Sequence, residues 1–507
     1  MSLRELPARP NLEHLKKQAR LLLRGSLQAD PATLDRFREA QVQLATAAPK
    51  LADALHVIAR EYGFENWATL KAHVGALSDN PMEALTAAIK ANDAALLRQV
   101  LERYPALKAK LDEPLPDYSF DTPALVAAVH KENREMIDAL LGAGANINAR
   151  SRWWAGGFGV LDSSSAELTP YLIERGAYVD IHAAARLGMF DRLKSLVEAD
   201  AGLVHARGGD GQTPLHFAAS IEIAEYLLDH GAEINARDID HESTPAQYMA
   251  SVLPRRPEVA RYLISRGAQT DILMAASVGD LELVRQHLDE DPDSVRINIS
   301  ERDFPKQNPE SGGCIYIFGF GWTRTAHMLA HQFGHDEVFK LLIQRSNLGL
   351  RFAVACEVGD EALAKSLLVA HPNLIAKQPP RAYLRIIGAA VRNNARAVGM
   401  MLAAGWPANV HGENDQTPLH WAAFHGNVEM VRELLLHHAL LDAVEQQFKG
   451  TPLGWALYGS EHGWRRDAGD YPHTVEALLM AGAKVARPVE EIEAPEEVLE
   501  VLRQHQA

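Results

Sequence analysis

The chain has 507 residues, 47% of them hydrophobic and 23% charged, enough for a large core without disulfide or metal staples, and too long for one compact domain, so several domains or a repeat array is expected. With 51 Lys plus Arg against 66 Asp plus Glu, the net charge is -15, which gives a phosphate backbone no broad electrostatic reason to approach and argues against nucleic acid as a partner. Cys314 and Cys356 lie far apart without metal-ligand spacing, Met1 to Pro10 carry no signal-peptide pattern, and no apolar run approaches a membrane span, so the expectation is a cytoplasmic protein in a reducing compartment, with no membrane span, metal or cofactor.

Residues 1–78 read as helical. Apolar stripes run through Leu12, Leu15, Ala19 and Leu22, and through Leu51, Leu55, Ile58 and Ala59, with helix starts at Asp30-Pro31 and Asn66-Trp67. From about residue 79 the chain repeats itself. Thr213-Pro214-Leu215-His216-Phe217-Ala218-Ala219 and Thr417-Pro418-Leu419-His420-Trp421-Ala422-Ala423 are near-copies, with variants at Thr122-Pro123, Thr244-Pro245 and Thr451-Pro452. The spacing from Thr417 to Thr451 is 34 residues and from Thr213 to Thr244 is 31. Thr suits an N-cap and Pro the first helical position, an apolar i, i+3, i+4 stripe follows, and Gly144, Gly176, Gly231, Gly267 and Gly482 stand where a second helix ends. Two short helices and a turn per unit are expected.

These motifs, with Gly144-Ala145-Asn146-Ile147-Asn148-Ala149 and Gly231-Ala232-Glu233-Ile234-Asn235-Ala236, resemble the ankyrin repeat family over roughly residues 82 to 487. The resemblance implies an all-α solenoid in which hairpin tips and the inner faces of first helices line one concave groove. It also implies that His182, His216 and His420 hydrogen-bond between repeats. Residues 1–78 resemble the helical extension ahead of ankyrin repeats in some bacterial proteins, and would cap the open end of the array. The expected organisation is an N-terminal helical domain over 1–78, about eleven partly degenerate units over 79–487, and a closing helix within 488–507, read at Ala494 to Gln504. Helix pairs of a second kind begin near Asp180, Asp271 and Leu350 without Thr-Pro, and end in longer turns such as Asp291-Pro292 and His371-Pro372.

Function is sought where the pattern breaks, because consensus positions hold neighbours together. Ser151 to Asp162 carries Trp153 and Trp154 with three glycines; Ser311 to Trp322 carries Tyr316 and Trp322 with four glycines and strong β-propensity, so an elongated hairpin is expected; Gly459 to Asp470 is about ten residues longer than the usual helix-helix turn and holds His462, Trp464 and Arg465. Phe424, His425 and Tyr458 lie on nearby first helices. Trp, Tyr and Arg are enriched at binding hot spots, so Trp153, Trp154, Asp162, Tyr316, Trp322, Phe424, His425, Tyr458, His462, Trp464 and Arg465 are the candidate residues for a protein partner or small-molecule ligand. Against this, tryptophans in long loops also cover local apolar clusters, and Phe217 and Trp421 share a repeat position that favours packing.

Chemistry finds less support. His327, His331 and His335 are four apart, but the last belongs to a Gly-His turn, leaving a pair without a third ligand. No nucleophile elbow, zinc helix motif, Walker loop or dinucleotide fingerprint is present. An enzyme remains the alternative: Asp121, Asp162, Asp210 and Asp240 with Trp153, Trp154, Tyr248 and Trp322 would form an acidic, aromatic-lined cleft suited to a carbohydrate and to hydrolysis, although aspartates at hairpin tips also serve turns.

Overall fold

Helix starts along the chain repeat one piece of chemistry, in which a short polar side chain accepts the backbone N–H groups that the first turn leaves unpaired. The computed structural model describes residues 4–7, 10–27, 30–40, 51–464, 466–485, 487–489 and 492–506. Within them the regular structure is helical, with isolated bridges only at Pro114–Pro123 and Asn298–Thr325. The chain divides into two compact units, one made of Met1–Met249, Pro254–Gln269 and Lys306–Ile315, the other of Ala250–Leu253, Thr270–Pro305 and Tyr316–Ala507.

The first unit opens with helices Leu12–Leu27, Pro31–Glu39, Leu51–Glu61 and Trp67–Ala76. Their apolar faces meet in a core that includes Leu15, Ala19, Leu22, Phe37, Ile58 and Leu70. Asp30 caps the second helix by accepting the Thr33 N–H, with Pro31 in the first turn. Buried Glu61 is held by the Arg36 fork at 2.6 and 2.9 Å and by Arg4 at 3.0 Å, so its charge is compensated where water is excluded.

The repeats follow. In the second unit, helices Pro418–Phe424 and Val428–Leu436 form one pair; Thr417 and His420 close a capping box, and Asn427 caps the second helix by accepting the Met430 N–H. In the first unit, Gly231 ends a second helix with φ +93°, where the Gly231 and Ala232 amides bond back to Leu228 and Leu227; that left-handed turn strains any residue with a Cβ. Pairs of the second kind are Ile181–Leu187 with Phe190–Ala199, Ile272–Val278 with Leu281–Glu290, and Leu348–Val358 with Glu361–Ala370. Asp180, Asp271 and Asn347 supply their caps in place of Thr-Pro. The longer turns are 3-10 segments at Ala201–His205 and Pro292–Arg296.

Two expectations fail for identifiable reasons. The unit at Thr213 has a single 3-10 turn, Pro214–Phe217, in place of a first helix. Its next helix begins at Ile221, five residues after His216, whereas Val428 comes eight after His420, so the 31-residue spacing is a deletion that leaves no room for the helix. Ser311 to Trp322 is not a hairpin. Tyr316–Gly319 is a helical turn in which Tyr316 is fully buried, stacks on Phe320 at 5.3 Å and donates its hydroxyl to Asp271 at 2.9 Å; the i, i+4 aromatic pair is a helical spacing that outweighs β-propensity. The closing helix is Glu496–Gln506, two residues later than expected.

Candidate functional site

The second unit contains a cavity of about 840 Å³, within the size class of small-ligand pockets. Trp322, Trp406, Trp421, Trp455 and Trp464 lie in its wall. The insertion after Pro452–His462 builds one side. Gly459, Gly463 and Gly469 allow backbone to lie against backbone: a Cβ at Gly469 would stand 2.6 Å from the His425 carbonyl, and one at Gly459 would collide with that of Phe424. Tyr471 donates its hydroxyl to the Phe424 carbonyl at 2.8 Å, and the Asp470 amide bonds Gly426 at 2.8 Å. The pinned loop places Trp464 edge-to-face with Phe424 at 5.2 Å and tilted against Trp421 at 6.0 Å, while Trp421 meets Trp455 edge-to-face at 5.0 Å. These are preferred aromatic geometries.

Trp464 nevertheless stays 64% exposed and Tyr458 61%. Tyr458 contacts the His462 ring at 4.7 Å. Phe424 and His425 are buried, and His425 Nε2 is 2.9 Å from the Val391 carbonyl, so both support the cluster from beneath. Arg465 lies outside the described residues. Trp322 and Trp464 thus share the cavity, whereas Tyr316, committed to Asp271 and Phe320, belongs to the core.

A charged triad that sequence reading missed lies in the same wall. Glu357 Oε1 accepts Arg392 at 3.0 Å, its Oε2 is 3.1 Å from Arg385 Nη2, and Arg392 also donates to the Thr323 carbonyl at 2.9 Å. The Nε of both arginines, Arg385 Nη2 and Glu357 Oε2 are buried without a hydrogen-bond partner. The available signal was Arg385 and Arg392 flanking an otherwise apolar helical stretch, Ile386 to Val391, seven residues apart and on one face.

In the first unit, Trp153 contacts Phe120 at 5.0 Å and Trp154 at 6.0 Å, both steeply inclined. Ser151 and Phe158 bond through the Ser151 amide at 2.8 Å and the Ser151 hydroxyl at 2.9 Å, folding the insertion on itself. Asp162 is spent inside that fold, accepting the Gly159 amide and Arg150 at 2.9 Å. Burial pushes its carboxyl pKa up while Arg150 opposes the rise. The turn role therefore accounts for Asp162, and a free catalytic carboxylate does not.

Asp210, Asp240 and His241 bring their ligand-type atoms within 4.8 Å of one another. His241 Nδ1 faces the Gly313 carbonyl at 3.1 Å, and Nε2 lies 3.7 Å from Asp210 and 3.6 Å from Asp240. Burial alone would lower the His241 pKa, but its bond to Asp210 and the charges of Asp238 and Asp240 raise it. The donor types suit a divalent cation; an imidazolium between the carboxylates supplies the same positive charge. The sequence signal was Asp238-Ile239-Asp240-His241.

The histidines of the repeat motif are structural, as are His327 and His335. His216 Nε2 lies 3.1 Å from the Ser243 carbonyl and His420 Nε2 lies 3.2 Å from that of Gly450, the next unit in each case. The carbonyl can only accept, so Nε2 carries the proton and Nδ1 accepts the amide of Thr213 or Thr417. His182 makes the corresponding contact to Ala206 at 3.0 Å. His327 is fully buried against Ser346, and His335 contacts the Ser277 carbonyl at 3.2 Å. Among the described residues no helix is long and apolar enough to cross a membrane.

Comparison with known proteins gives one family. Residues 181–273 and 386–487 match the family described as ankyrin repeats (3 copies), and residues 121–152 match the single ankyrin repeat. The chain is 28% identical over 137 residues to ankyrin repeat and SAM domain-containing protein 6 of Rattus norvegicus, covering 26% of this chain and 15% of that protein. It is 33% identical over 107 residues to ankyrin repeat-containing protein P1E11.10 of Schizosaccharomyces pombe, covering 21% and 50%. It is 26% identical over 195 residues to the probable 26S proteasome regulatory subunit p28 of Saccharomyces cerevisiae, covering 32% and 84%. The chain thus spans half or less of the first two relatives. Ankyrin repeats indicate a protein-interaction scaffold, and the enzyme alternative finds no favour in these likenesses. The capping boxes, turn glycines and imidazole ties between units agree with the matches, and the chain carries ankyrin repeats over these residues.

Proposed function

We propose that the chain is a cytoplasmic scaffold that holds a partner protein on the aromatic rim of its second unit. One observation carries the reading: Trp464 rests on Trp421 and Phe424 in a loop whose backbone is pinned, yet remains 64% exposed. A large aromatic held rigid before binding loses little entropy on contact, which is the character of a hot spot. Tyr458 and His462 extend the same surface, and Arg465, next to Trp464 in sequence, is kept as a candidate on that ground alone. Trp322 belongs to the cavity below, and Trp153 and Trp154 form a secondary aromatic surface on the first unit.

In this reading residues 1–78 cap the array, 79–487 form about eleven units, and 488–507 close it. One relative is named as a regulatory subunit of the 26S proteasome, which suits a chain whose work is meeting other proteins. Cys314 and Cys356 are buried and form no disulfide, which suits a reducing compartment. The test is capture of partners on the full chain, identification by mass spectrometry, and titration of the purified partner. Trp464→Ala is expected to weaken it by about 30-fold, the effect of losing roughly 2 kcal/mol of hot-spot contact. Affinity unchanged in both Trp464→Ala and Tyr458→Ala overturns the rim as the docking surface.

A further inference from the structure

The triad in the cavity wall has a charge imbalance that the repeat architecture does not require. Two guanidiniums, Arg385 and Arg392, face one carboxylate, Glu357, and all three line the cavity. Their side chains are 14%, 9% and 1% exposed. Taking charge out of water is costly unless it is paired and its donors are met. Here one positive charge is left over and the Nε of each guanidinium lacks an acceptor. Arg324, half-buried in the field of Glu357, does not line the cavity, so the excess presented to a ligand by the triad stays at one charge. Of the other acids that line the cavity, Glu445 is occupied by the amides of Gln447, Phe448 and Gly450, and Glu301 and Glu413 are outnumbered by Arg296, Arg302 and Arg381, which line it too.

The opposite character lies in the same wall. Trp421 and Trp455 meet edge-to-face, and Trp421 Nε1 is another buried donor without a partner. Aromatic faces with unmet donors and a net positive charge are the complement of a flat apolar body that ends in an oxyanion. A monoanion neutralises the excess of the triad. A phosphate dianion overshoots it and meets the Glu357 charge in the same wall.

We propose that the cavity of the second unit binds a small organic monocarboxylate with an aromatic body, its carboxylate neutralising Arg385 and Arg392 beside Glu357 and its ring lying against Trp421 and Trp455. The inference is independent of the partner reading, which rests on the exposed side of Trp464.

Calorimetric titration of the full chain with 2-naphthoate, 2-naphthamide and 2-naphthyl phosphate tests it. The acid is expected to bind at least about tenfold more tightly than the neutral amide or the phosphate, the scale of one charge-assisted hydrogen bond. Arg385→Gln is expected to remove that preference, leaving the amide unchanged, and Glu357→Gln to tighten the acid by removing its competitor. Should Arg385→Gln unfold by circular dichroism, the acid, amide and phosphate series on the wild type and Glu357→Gln still decides. No binding of 2-naphthoate at millimolar concentration, equal affinity for acid and amide, or tighter binding of the phosphate overturns the proposal. A peptide carboxylate offers the same chemistry: displacement of a captured partner by saturating 2-naphthoate assigns the carboxylate to the partner, retention assigns it to a free ligand, and either result upholds the site.

Discussion

The insertions at Ser151–Asp162 and Gly459–Asp470 have the same ingredients, tryptophan and glycine in a stretch that breaks the repeat, but they spend them differently. In the first, polar side chains close the loop on itself: Asp162 takes the Gly159 amide and Arg150, Ser151 takes Phe158, and Trp153 packs on Phe120. In the second, the glycines lay the loop on the backbone of the preceding first helix, the polar groups that fix it are mostly main-chain, and Trp464 is left standing at a cavity mouth. Composition alone therefore does not separate a self-contained plug from a presenting arm. What separates them is whether the side chains of the insertion satisfy one another or are held from below.

The largest effect probes what the two units share, a neutral imidazole in the core. Burial pushes the pKa of His216 in the first unit and His327 in the second down to about 3. The unfolded value is about 6.5, so between these the unfolded chain binds more protons than the folded one. The stability each site contributes is complete above pH 6.5 and is lost as pH falls toward 3, by about 3 kcal/mol per site at pH 4.5. Asp238 and Asp271, whose carboxyl pKa values burial raises, work the other way, so the readout is the gap between wild type and His327→Gln. Denaturant titration is expected to show that gap shrinking steadily from pH 7 to pH 4.5; a constant gap breaks the buried-imidazole account.

A smaller effect separates the insertions. Asp162→Ala strands the Gly159 amide and Arg150, with an expected loss of about 2 kcal/mol, and Asp162→Asn a smaller one. Denaturant titrations of Trp153→Ala and Trp464→Ala are expected to differ by about 1 kcal/mol: the half-buried Trp153 supports its loop, whereas loss of exposed Trp464 falls within about 0.5 kcal/mol of wild type. If Trp464→Ala proves the more damaging to stability, the presenting arm is a plug after all.

Local chemistry explains what was legible beforehand. Thr213, Thr417, His216, His420 and Gly231 act through neighbours a few residues away or one unit on, so their roles follow from spacing. At Thr213 the motif predicts a first helix, but the next cap, Ser220, follows too soon and only the 3-10 turn Pro214–Phe217 fits. At 311–322 β-propensity predicts a hairpin, whereas the i, i+4 spacing of Tyr316 and Phe320 encodes the helical turn that forms. The triad of Glu357, Arg385 and Arg392 was not legible as a site, because its members sit on ordinary helices and acquire meaning only when packing closes a cavity around them. The same holds for His241, whose aspartate partner at 210 is a unit away in sequence.

The shortened unit at Thr213 carries one more consequence. It has surrendered the internal bonds of a first helix but keeps its ties outward: the Ala219 amide to Ala185, Thr213 and His216 to each other, and His216 to Ser243. In a stack whose stability is the sum of what each unit holds alone and what it shares with its neighbours, such a unit has little of the former. It behaves as a rivet between two plates, without a melting point of its own, and its amides will exchange with solvent only when a plate on one side or the other lets go.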